Sequence, residues 1–243
     1  MLRLGWLTID TLDVARQVAF WKPLLGYDEL FEGALVPPPG TGTGILLYPD
    51  GIDSPKRGRN RVHLDLASRD QAATVTRALE LGAVHVDVGQ GEDVPWVVLA
   101  DPEGNEFCVL GDRQPPALPG RGERDVWIDA VVLDVPSADR AARFWGDLLG
   151  WDEDDRDVDL VVLRDPTGKR DDLAFVDVRA EKRGKNRVHP DLVRSGDDLG
   201  PEVRRALDLG ATPADIGQGD VPWAVLADPA GNEFCILAPR ELD

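Results

Sequence analysis

Hydrophobic positions recur along the chain with two spacings, the two-residue period of strands and the wider period of helices. The first segment, Leu2–Thr8, has the apolar character of a strand. Asp13 is a suitable N-cap for the helix that follows, and Gly26 is suitable for its end. The apolar residues that share one face of this helix are Val14, Val18, Trp21 and Leu25. Strand patterns at Tyr27–Phe31 and Gly44–Tyr48 complete the unit.

The same order of elements then starts again. Val62–Ala67 has a strand pattern, and Ser68 with Gln71 has the spacing of a capping box for a second helix ending at Gly82. The positions expected to face inward on this helix are Ala72, Val75 and Leu79. The strand patterns after it are Val84–Val88, Trp96–Ala100 and Glu106–Leu110. Asp101–Gly104, with the sequence Asp-Pro-Glu-Gly, predicts a tight turn between the last two. Each half of the unit is therefore predicted to be a βαβββ module.

This double unit occurs twice. Leu81–Leu110 is closely similar to Leu209–Leu237, and Arg59–Leu66 is closely similar to Lys185–Leu192. Two copies of this length indicate duplicated domains rather than a solenoid. We therefore predict an α+β fold of two tandem domains, each built of paired βαβββ modules. The predicted boundaries are residues 1–112 for the first domain, 113–124 for a Pro/Gly-rich linker and 125–243 for the second domain.

The composition narrows the choice of partners. The chain has 45 Asp and Glu against 27 Lys and Arg, a formal net charge of −18. This argues against nucleic acid and anionic membranes as partners, because both require an excess of positive charge. No apolar run approaches the roughly 20 residues that span a bilayer, and two cysteines make no disulfide framework. We expect a cytoplasmic protein whose partner is a small molecule, with homodimerisation left open.

Three motifs occur once in each repeat. They are Phe-Trp ahead of Leu-Leu-Gly, from Phe20 and Phe144, Asn-Arg-Val-His, from Asn60 and Asn186, and Asp-Pro-x-Gly-Asn-Glu-Phe-Cys, from Asp101 and Asp228. Together they resemble the vicinal-oxygen-chelate superfamily, and more narrowly its glyoxalase-like and bleomycin-resistance-like domains. The resemblance covers nearly the whole chain. It implies a curved, cupped mixed sheet with helices outside and a pocket on the concave face.

The resemblance also implies where metal ligands would lie. Relatives that bind a divalent ion hold it with side chains from the first, fourth, fifth and eighth strands of the cup. The first-strand position falls at Trp6 and Ala130, neither of which can bind a metal. The fifth-strand histidine is kept in both repeats, as His63 and His189. The fourth-strand position has no clear alignment.

The eighth-strand glutamate of those relatives is replaced by Cys108 and Cys235. Glu106 and Glu233 lie two residues away on the same strand face and are the available substitutes. A stable zinc site usually takes about three protein ligands or more, so we expect no cofactor. If a divalent metal is bound, the expected ligands are His63 with Glu106, or His189 with Glu233.

A histidine and an aspartate share a strand face in each repeat. They are His63 with Asp65, and His189 with Asp191. In a pocket, the carboxylate would orient the imidazole as a base or ligand. Alternatively, the pair is a buried hydrogen bond that fixes two strands. Pro190 removes a backbone donor beside His189, which predicts that the two pockets are unequal.

Two other residue types are candidates for the pocket. Cys108 and Cys235 are interpretable as thiolate nucleophiles or as small apolar core residues, and the neighbouring glutamate is expected to raise the thiol pKa. Trp96 and Trp223 each follow Val-Pro at the start of a strand. Their rings would stack on a planar ligand or belong to the core.

A basic cluster precedes each histidine strand. It either captures a carboxylate or phosphate of a ligand, or pairs with the surrounding acids. Its members are Lys56, Arg57, Arg59 and Arg61 in the first repeat, and Lys182, Arg183, Lys185 and Arg187 in the second.

Three functions fit these patterns. The first is a protein that holds a small organic molecule without a metal, either for sequestration and resistance or as a metal-free enzyme. The second is a divalent-metal lyase, isomerase or dioxygenase. The third is a scaffold whose pockets are filled by side chains and whose surface binds a protein. The sequence leaves open whether the pockets form within the repeats or across them.

Overall fold

The computed structural model describes residues 2–38, 46–52, 54–89, 91, 93–111, 124–167, 171–179, 182–194, 196 and 198–238. They form four βαβββ modules. Module 1 contains β1 (Leu2–Thr11), α1 (Val14–Leu25), β2 (Asp28–Glu29), β3 (Leu35–Val36) and β4 (Leu46–Gly51). Module 2 contains β5 (Val62–Ser68), α2 (Gln71–Glu80), β6 (Val84–His85), β7 (Val97–Ala100) and β8 (Glu106–Val109). Module 3 contains β9 (Val126–Val135), α3 (Ala138–Leu149), β10 (Asp152–Asp157), β11 (Leu160–Arg164) and β12 (Asp172–Asp177). Module 4 contains β13 (Val188–Arg194), α4 (Gly200–Asp208), β14 (Thr212–Pro213), β15 (Ala224–Ala227) and β16 (Glu233–Leu237).

The modules pair across the two repeats. Sheet A joins modules 1 and 4 in the strand order β14-β15-β16-β13-β1-β4-β3-β2. Sheet B joins modules 3 and 2 in the order β10-β11-β12-β9-β5-β8-β7-β6. The central contacts are antiparallel, β1 with β13 and β5 with β9. The predicted α+β fold of paired βαβββ modules is confirmed, and each eight-stranded sheet takes one module from each repeat.

The predicted linker lies outside the described residues except for Arg124. The proposed boundaries at 112 and 125 separate the sequence repeats, and they do not separate the two sheets. None of the helices in the described part of the chain is both long and apolar enough to cross a bilayer.

A register shift in β1 directs polar residues toward the concave face of sheet A. The shift lies between Leu4 and Trp6, at Gly5. A Cβ atom on Gly5 would lie 2.3 Å from Cγ2 of Val193, so only glycine allows the two strands this close. Beyond the shift, Leu7 packs in the main core, and its neighbours Trp6 and Thr8 line the concave face.

The helices lie on the convex sides, where they share one core that joins the two sheets. Trp21 of α1 contacts Phe107 of β8, with ring centroids 5.1 Å apart. Trp145 of α3 makes the equivalent contact with Phe234 of β16 at 5.2 Å. In each case the helix belongs to one sheet and the strand to the other. Each repeat therefore connects both sheets through buried aromatic side chains.

Local signals for α1 are confirmed, and those for α2 are wrong in detail. The Asp13 carboxylate accepts from the Arg16 amide, and Gly26 ends α1 in the left-handed conformation. The predicted Ser68–Gln71 capping box does not form, because β5 continues through Ser68 and Asp70 caps α2 instead. The buried face also differs from the predicted one. The buried residues of α2 are Thr74 and Ala78, whereas Leu79 is exposed.

Candidate functional site

The strand registers bring residues from both repeats together on the concave face of sheet A. Thr8 of β1 lies opposite His189 of β13 and beside Tyr48 of β4. Asp191 lies beside Cys235 of β16. A cavity of about 290 Å³ opens over these positions. Its walls include Trp6, Thr8, Tyr48, Asp50, Lys185, His189, Asp191, Trp223 and Cys235.

Asp191 is the centre of the polar cluster in this cavity. Its Oδ2 accepts from the Thr8 hydroxyl at 2.6 Å, and its Oδ1 lies 3.5 Å from Nε2 of His189. The Cys235 thiol also donates to the Asp191 carboxylate. Burial, followed by the negative charge of Asp191, raises the pKa of Cys235 far above its usual value. The sulfur is therefore a protonated donor and a poor nucleophile.

Two polar atoms of this cluster have no hydrogen-bond partner among the described residues. They are Nδ1 of His189 and Oδ1 of Asp191, and both residues are only 7% exposed. Buried polar atoms are nearly always hydrogen-bonded, so this unpartnered pair behind the cavity wall requires an explanation, such as a bound molecule or water that reaches it. These two atoms are the ones in the cluster that can still form a hydrogen bond.

Sheet B contains the same three residue types. His63 Nε2 lies 3.7 Å from Oδ1 of Asp65, too far for a hydrogen bond. Burial, with the Arg59 charge as a second cause, lowers the pKa of His63 to about 4. Burial and the charge of Asp65 raise the pKa of Cys108, as in sheet A. The imidazole is therefore neutral and the thiol protonated at neutral pH.

The two cups differ in the wall that comes from modules 1 and 3. In sheet A this wall contributes aromatic and hydroxyl groups to the cavity, whereas in sheet B it is an apolar cluster. The sheet A residues are Trp6, Thr8 and Tyr48, and the sheet B residues at the same register positions are Ala130, Val132 and Ala174. The predicted inequality of the two pockets thus arises mainly from a wall far from Pro190 in sequence.

The two glutamates considered as metal ligands lie elsewhere. Glu106 bonds the Lys56 ammonium at 2.8 Å and the Asn60 amide at 3.1 Å. Glu233 is held in the same way, with Lys182 Nζ at 2.6 Å. Both carboxylates therefore hold the loop that precedes the histidine strand. The aspartates, rather than the glutamates, lie beside the histidines and thiols. It is also the aspartates that raise the thiol pKa values.

The basic clusters pair with acids of the protein. Lys185 Nζ lies 2.7 Å from Oδ2 of buried Asp10, and Arg59 lies 3.3 Å from Asp134 at the equivalent place in sheet B. These ion pairs agree with the second of the two interpretations of the clusters. Lys185 also borders the cavity of sheet A, so its charge contributes to the site.

The two tryptophan candidates have different surroundings. Trp223 lines the cavity of sheet A, whereas Trp96 in the other cup is 37% exposed. Sequence reasoning missed Trp6, Tyr48 and Asp50 as cavity residues. The signal was present, because Trp6 in the first repeat corresponds to a small residue in the second, a difference unlike the near-identity of the motifs around the histidines.

The donor types in each cup suit a small divalent ion. In sheet A the donor atoms of His189, Asp191 and Cys235 lie within 4.8 Å of one another, and sheet B repeats the set. Imidazole, carboxylate and thiolate are the ligands zinc prefers, and three of them leave one open position. The thiol would have to lose its proton on binding. That neither cup binds a metal therefore stays a prediction.

The lowered pKa of His63 predicts acid sensitivity. An unfolded histidine takes up a proton below about pH 6.5, whereas folded His63 does so only near pH 4. Stability is therefore lost as the pH falls between these values, by about 2 kcal/mol at pH 5. Urea unfolding of EDTA-dialysed wild type and His63→Gln at pH 7.5 and 5.0 measures how much of the stability loss is due to His63. Equal losses in the two proteins would contradict it.

Comparisons with known proteins agree with this architecture. The family model described as "Glyoxalase-like domain" matches residues 6–110 and 130–237. None of the curated proteins matches the chain. Glyoxalase I from Zea mays superimposes with a TM-score of 0.64 and 16% identity, covering 98% of this chain and 92% of that one. A putative dioxygenase from Bacillus subtilis gives 0.61 and 14%, covering 97% and 84%. With both repeats matched by the family model, the chain belongs to the glyoxalase-like domain family of the vicinal-oxygen-chelate superfamily.

Proposed function

We propose that this protein binds a small organic molecule in the cavity of sheet A and does so without a metal. The observation that carries the proposal is the combination of an open cavity of about 290 Å³ with two buried, unpartnered polar atoms on His189 and Asp191. Apolar walls with a few convergent polar groups are typical of ligand sites. Sequestration and metal-free catalysis both begin with this binding step.

The state of the cluster supports a metal-free site. The Asp191 carboxylate accepts hydrogen bonds from the Cys235 thiol and from the Thr8 hydroxyl. These two internal hydrogen bonds already fix the carboxylate and the thiol. Nδ1 of His189 has no partner among the described residues, and it would accept from a ligand or donate to it once the ring turns toward the cavity. We assign it the role of orienting the bound molecule.

A thermal-shift screen over antibiotics, aldehyde–thiol adducts and aromatic acids and amines tests the proposal. A ligand at 100 times its Kd stabilises the folded state by about 2.7 kcal/mol. We expect the shift from a true ligand to be lost in Trp223→Ala and kept in Trp96→Ala, the matched change in the other cup. A screen without ligands, or ligands that depend on Trp96 rather than Trp223, would refute the proposal.

The second candidate is a metal-dependent lyase, isomerase or dioxygenase. It is favoured by the meeting of His189, Asp191 and Cys235 in one cluster. A divalent ion held there would supply Lewis-acid polarisation of a substrate oxygen. Elemental analysis of purified protein, with Cys235→Ser as the control, separates the two candidates. Stoichiometric Mn, Ni, Zn or Fe that is lost in the variant and required for ligand binding would favour the second.

The third function, a scaffold with filled pockets, requires side chains to occupy the cups. The cavity in sheet A does not meet that requirement. We therefore do not carry the scaffold forward as a proposal.

A further inference from the structure

The cavity of sheet A has an excess of negative charge. Asp50 and Asp191 both line it, and Lys185 is the lining cation. The Lys185 ammonium is already paired with the buried Asp10 carboxylate at 2.7 Å, so these two charges balance. Asp50 forms no ion pair with the described residues. Even a protonated His189 would leave the cavity negative, since two carboxylates would face one imidazolium.

The pKa of Asp50 reflects the negative charge of the cavity. Asp50 lies at the exposed rim of the cavity, and its pKa is raised above the usual value, first by partial burial and then by the charge of Asp10, with Asp191 adding to the effect. Lys185 and His189 oppose the shift without cancelling it. A carboxylate in this state is stabilised by any further positive charge that enters the cavity.

Aromatic rings form the other part of the cavity wall. Trp6 and Tyr48 meet edge to face, with centroids 6.0 Å apart and planes at 80°. Trp223 borders the same cavity from the start of β15. The Tyr48 hydroxyl donates to Oε2 of Glu32 at 3.2 Å, which places another carboxylate beside the ring. Rings set at an angle around a negatively charged cavity are the arrangement that encloses ammonium groups through cation–π attraction.

The cup of sheet B provides an internal comparison. Its polar cluster of histidine, aspartate and cysteine is the same, so that cluster does not distinguish the two sites. What differs is the set of features that would attract a cation. Ala130, Ala174 and Val176 occupy the register positions that Trp6, Tyr48 and Asp50 occupy in sheet A. The aromatic wall and the additional carboxylate have therefore been placed, or retained, together in one cup.

We propose that the cavity of sheet A selects an organic cation, an ammonium or N-alkylated amine on a compact apolar or aromatic group. Trp6, Tyr48 and Trp223 enclose the cationic centre, and Asp50 supplies its counter-charge. This inference rests on the proposed function, because it names the ligand class for the same cavity. The volume of about 290 Å³ is at the lower end for ligand pockets, which fits a compact molecule.

Calorimetry with three probes tests the ligand class. The probes are benzyltrimethylammonium, choline and 3,3-dimethylbutan-1-ol, the uncharged isostere of choline. We expect both cations to bind the wild-type protein at least tenfold more tightly than the alcohol. Asp50→Asn and Tyr48→Ala should each weaken the cations about fivefold or more, with thermal unfolding to verify that both variants fold. Val176→Ala, the matched change in sheet B, should have no effect.

Two results would overturn the inference. One is equal binding of choline and its uncharged isostere, with no effect of Asp50→Asn. The other is absence of binding by both cations. If neutral or anionic ligands from the screen then depend on Trp223, the proposed function stands and only the ligand class is wrong. If no ligand of any charge depends on Trp223, both proposals fail.

Discussion

The first repeat alone, residues 1–112, is expected not to fold as a monomer. In the full chain its β1 pairs with β13 and its β5 pairs with β9, both in the other repeat. Separation of the repeats would expose the central edges of both sheets, and an unpaired apolar edge is strongly unfavourable in water. The buried face of β1, from Leu2 to Ile9, would lose much of its cover.

Two states remain open to the isolated repeat. A homodimer can rebuild both sheets by pairing β1 of one copy with β5 of the other, because β5 and β13 have nearly the same sequence. Otherwise the chain stays unfolded. Light scattering combined with circular dichroism distinguishes these states. A monomer with native secondary structure and cooperative unfolding would refute this prediction, because it would require β1 and β5 to pair within one copy.

The second large effect is expected from the aspartates that begin the two Asp-Pro turns. Asp228 is 3% exposed and accepts from the Trp145 indole at 3.1 Å and from the amides of Ala230 and Asn232. Asp228→Ala would leave these buried donors without an acceptor. At about 1–3 kcal/mol for each orphaned group, we expect a loss of roughly 3–5 kcal/mol in the free energy of unfolding.

Asp101 has the same role in the first repeat, where it accepts from the side chains of Gln17 and Trp21. These donors lie on α1, which covers sheet A, whereas Asp101 belongs to module 2 in sheet B. Each aspartate thus joins the two sheets as well as closing its turn. Urea unfolding of Asp101→Ala, Asp228→Ala and the exposed control Asp208→Ala measures the effect. Losses below 1 kcal/mol in the first two would refute it.

The features that sequence could predict are those set by neighbouring residues. Asp13 caps α1 because a carboxylate at that position reaches the amide three residues on. The turn at Asp101 closes because proline and glycine supply the required dihedral angles. The predicted start of α2 is wrong for a related reason. Ser68 and Asp70 are both suitable caps, and only the length of β5 decides between them.

The pairing of modules could not be predicted from these signals. The strands that carry His63 and His189 present nearly the same side chains to whichever β1-type strand lies beside them. Pairing within a repeat and pairing across repeats therefore satisfy the same hydrophobic pattern. The choice depends on how the whole chain packs, above all on the shared core between the sheets.

The sequence predicts the polar cluster and Trp223, and it misses the cavity residues that come from the first repeat. His189 and Asp191 share a strand face by two-residue alternation, and Cys235 adjoins them through the parallel pairing of β13 and β16. The other two aromatic residues, Trp6 and Tyr48, come from the other repeat. In the comparison with metal-binding relatives, Trp6 occupies the position of a missing ligand. No short-range sequence pattern connects it with Trp223, which lies more than 200 residues later. The cavity exists only because the repeats exchange modules.

A crystal structure with bound benzyltrimethylammonium tests the central claim most directly, because it locates the ligand relative to the exchanged modules. The account predicts the quaternary ammonium in the cup of sheet A, within about 6 Å of the ring centroids of Trp6, Tyr48 and Trp223, with the cup of sheet B empty. A molecule bound beside His63 in sheet B, or outside both cups, would contradict it.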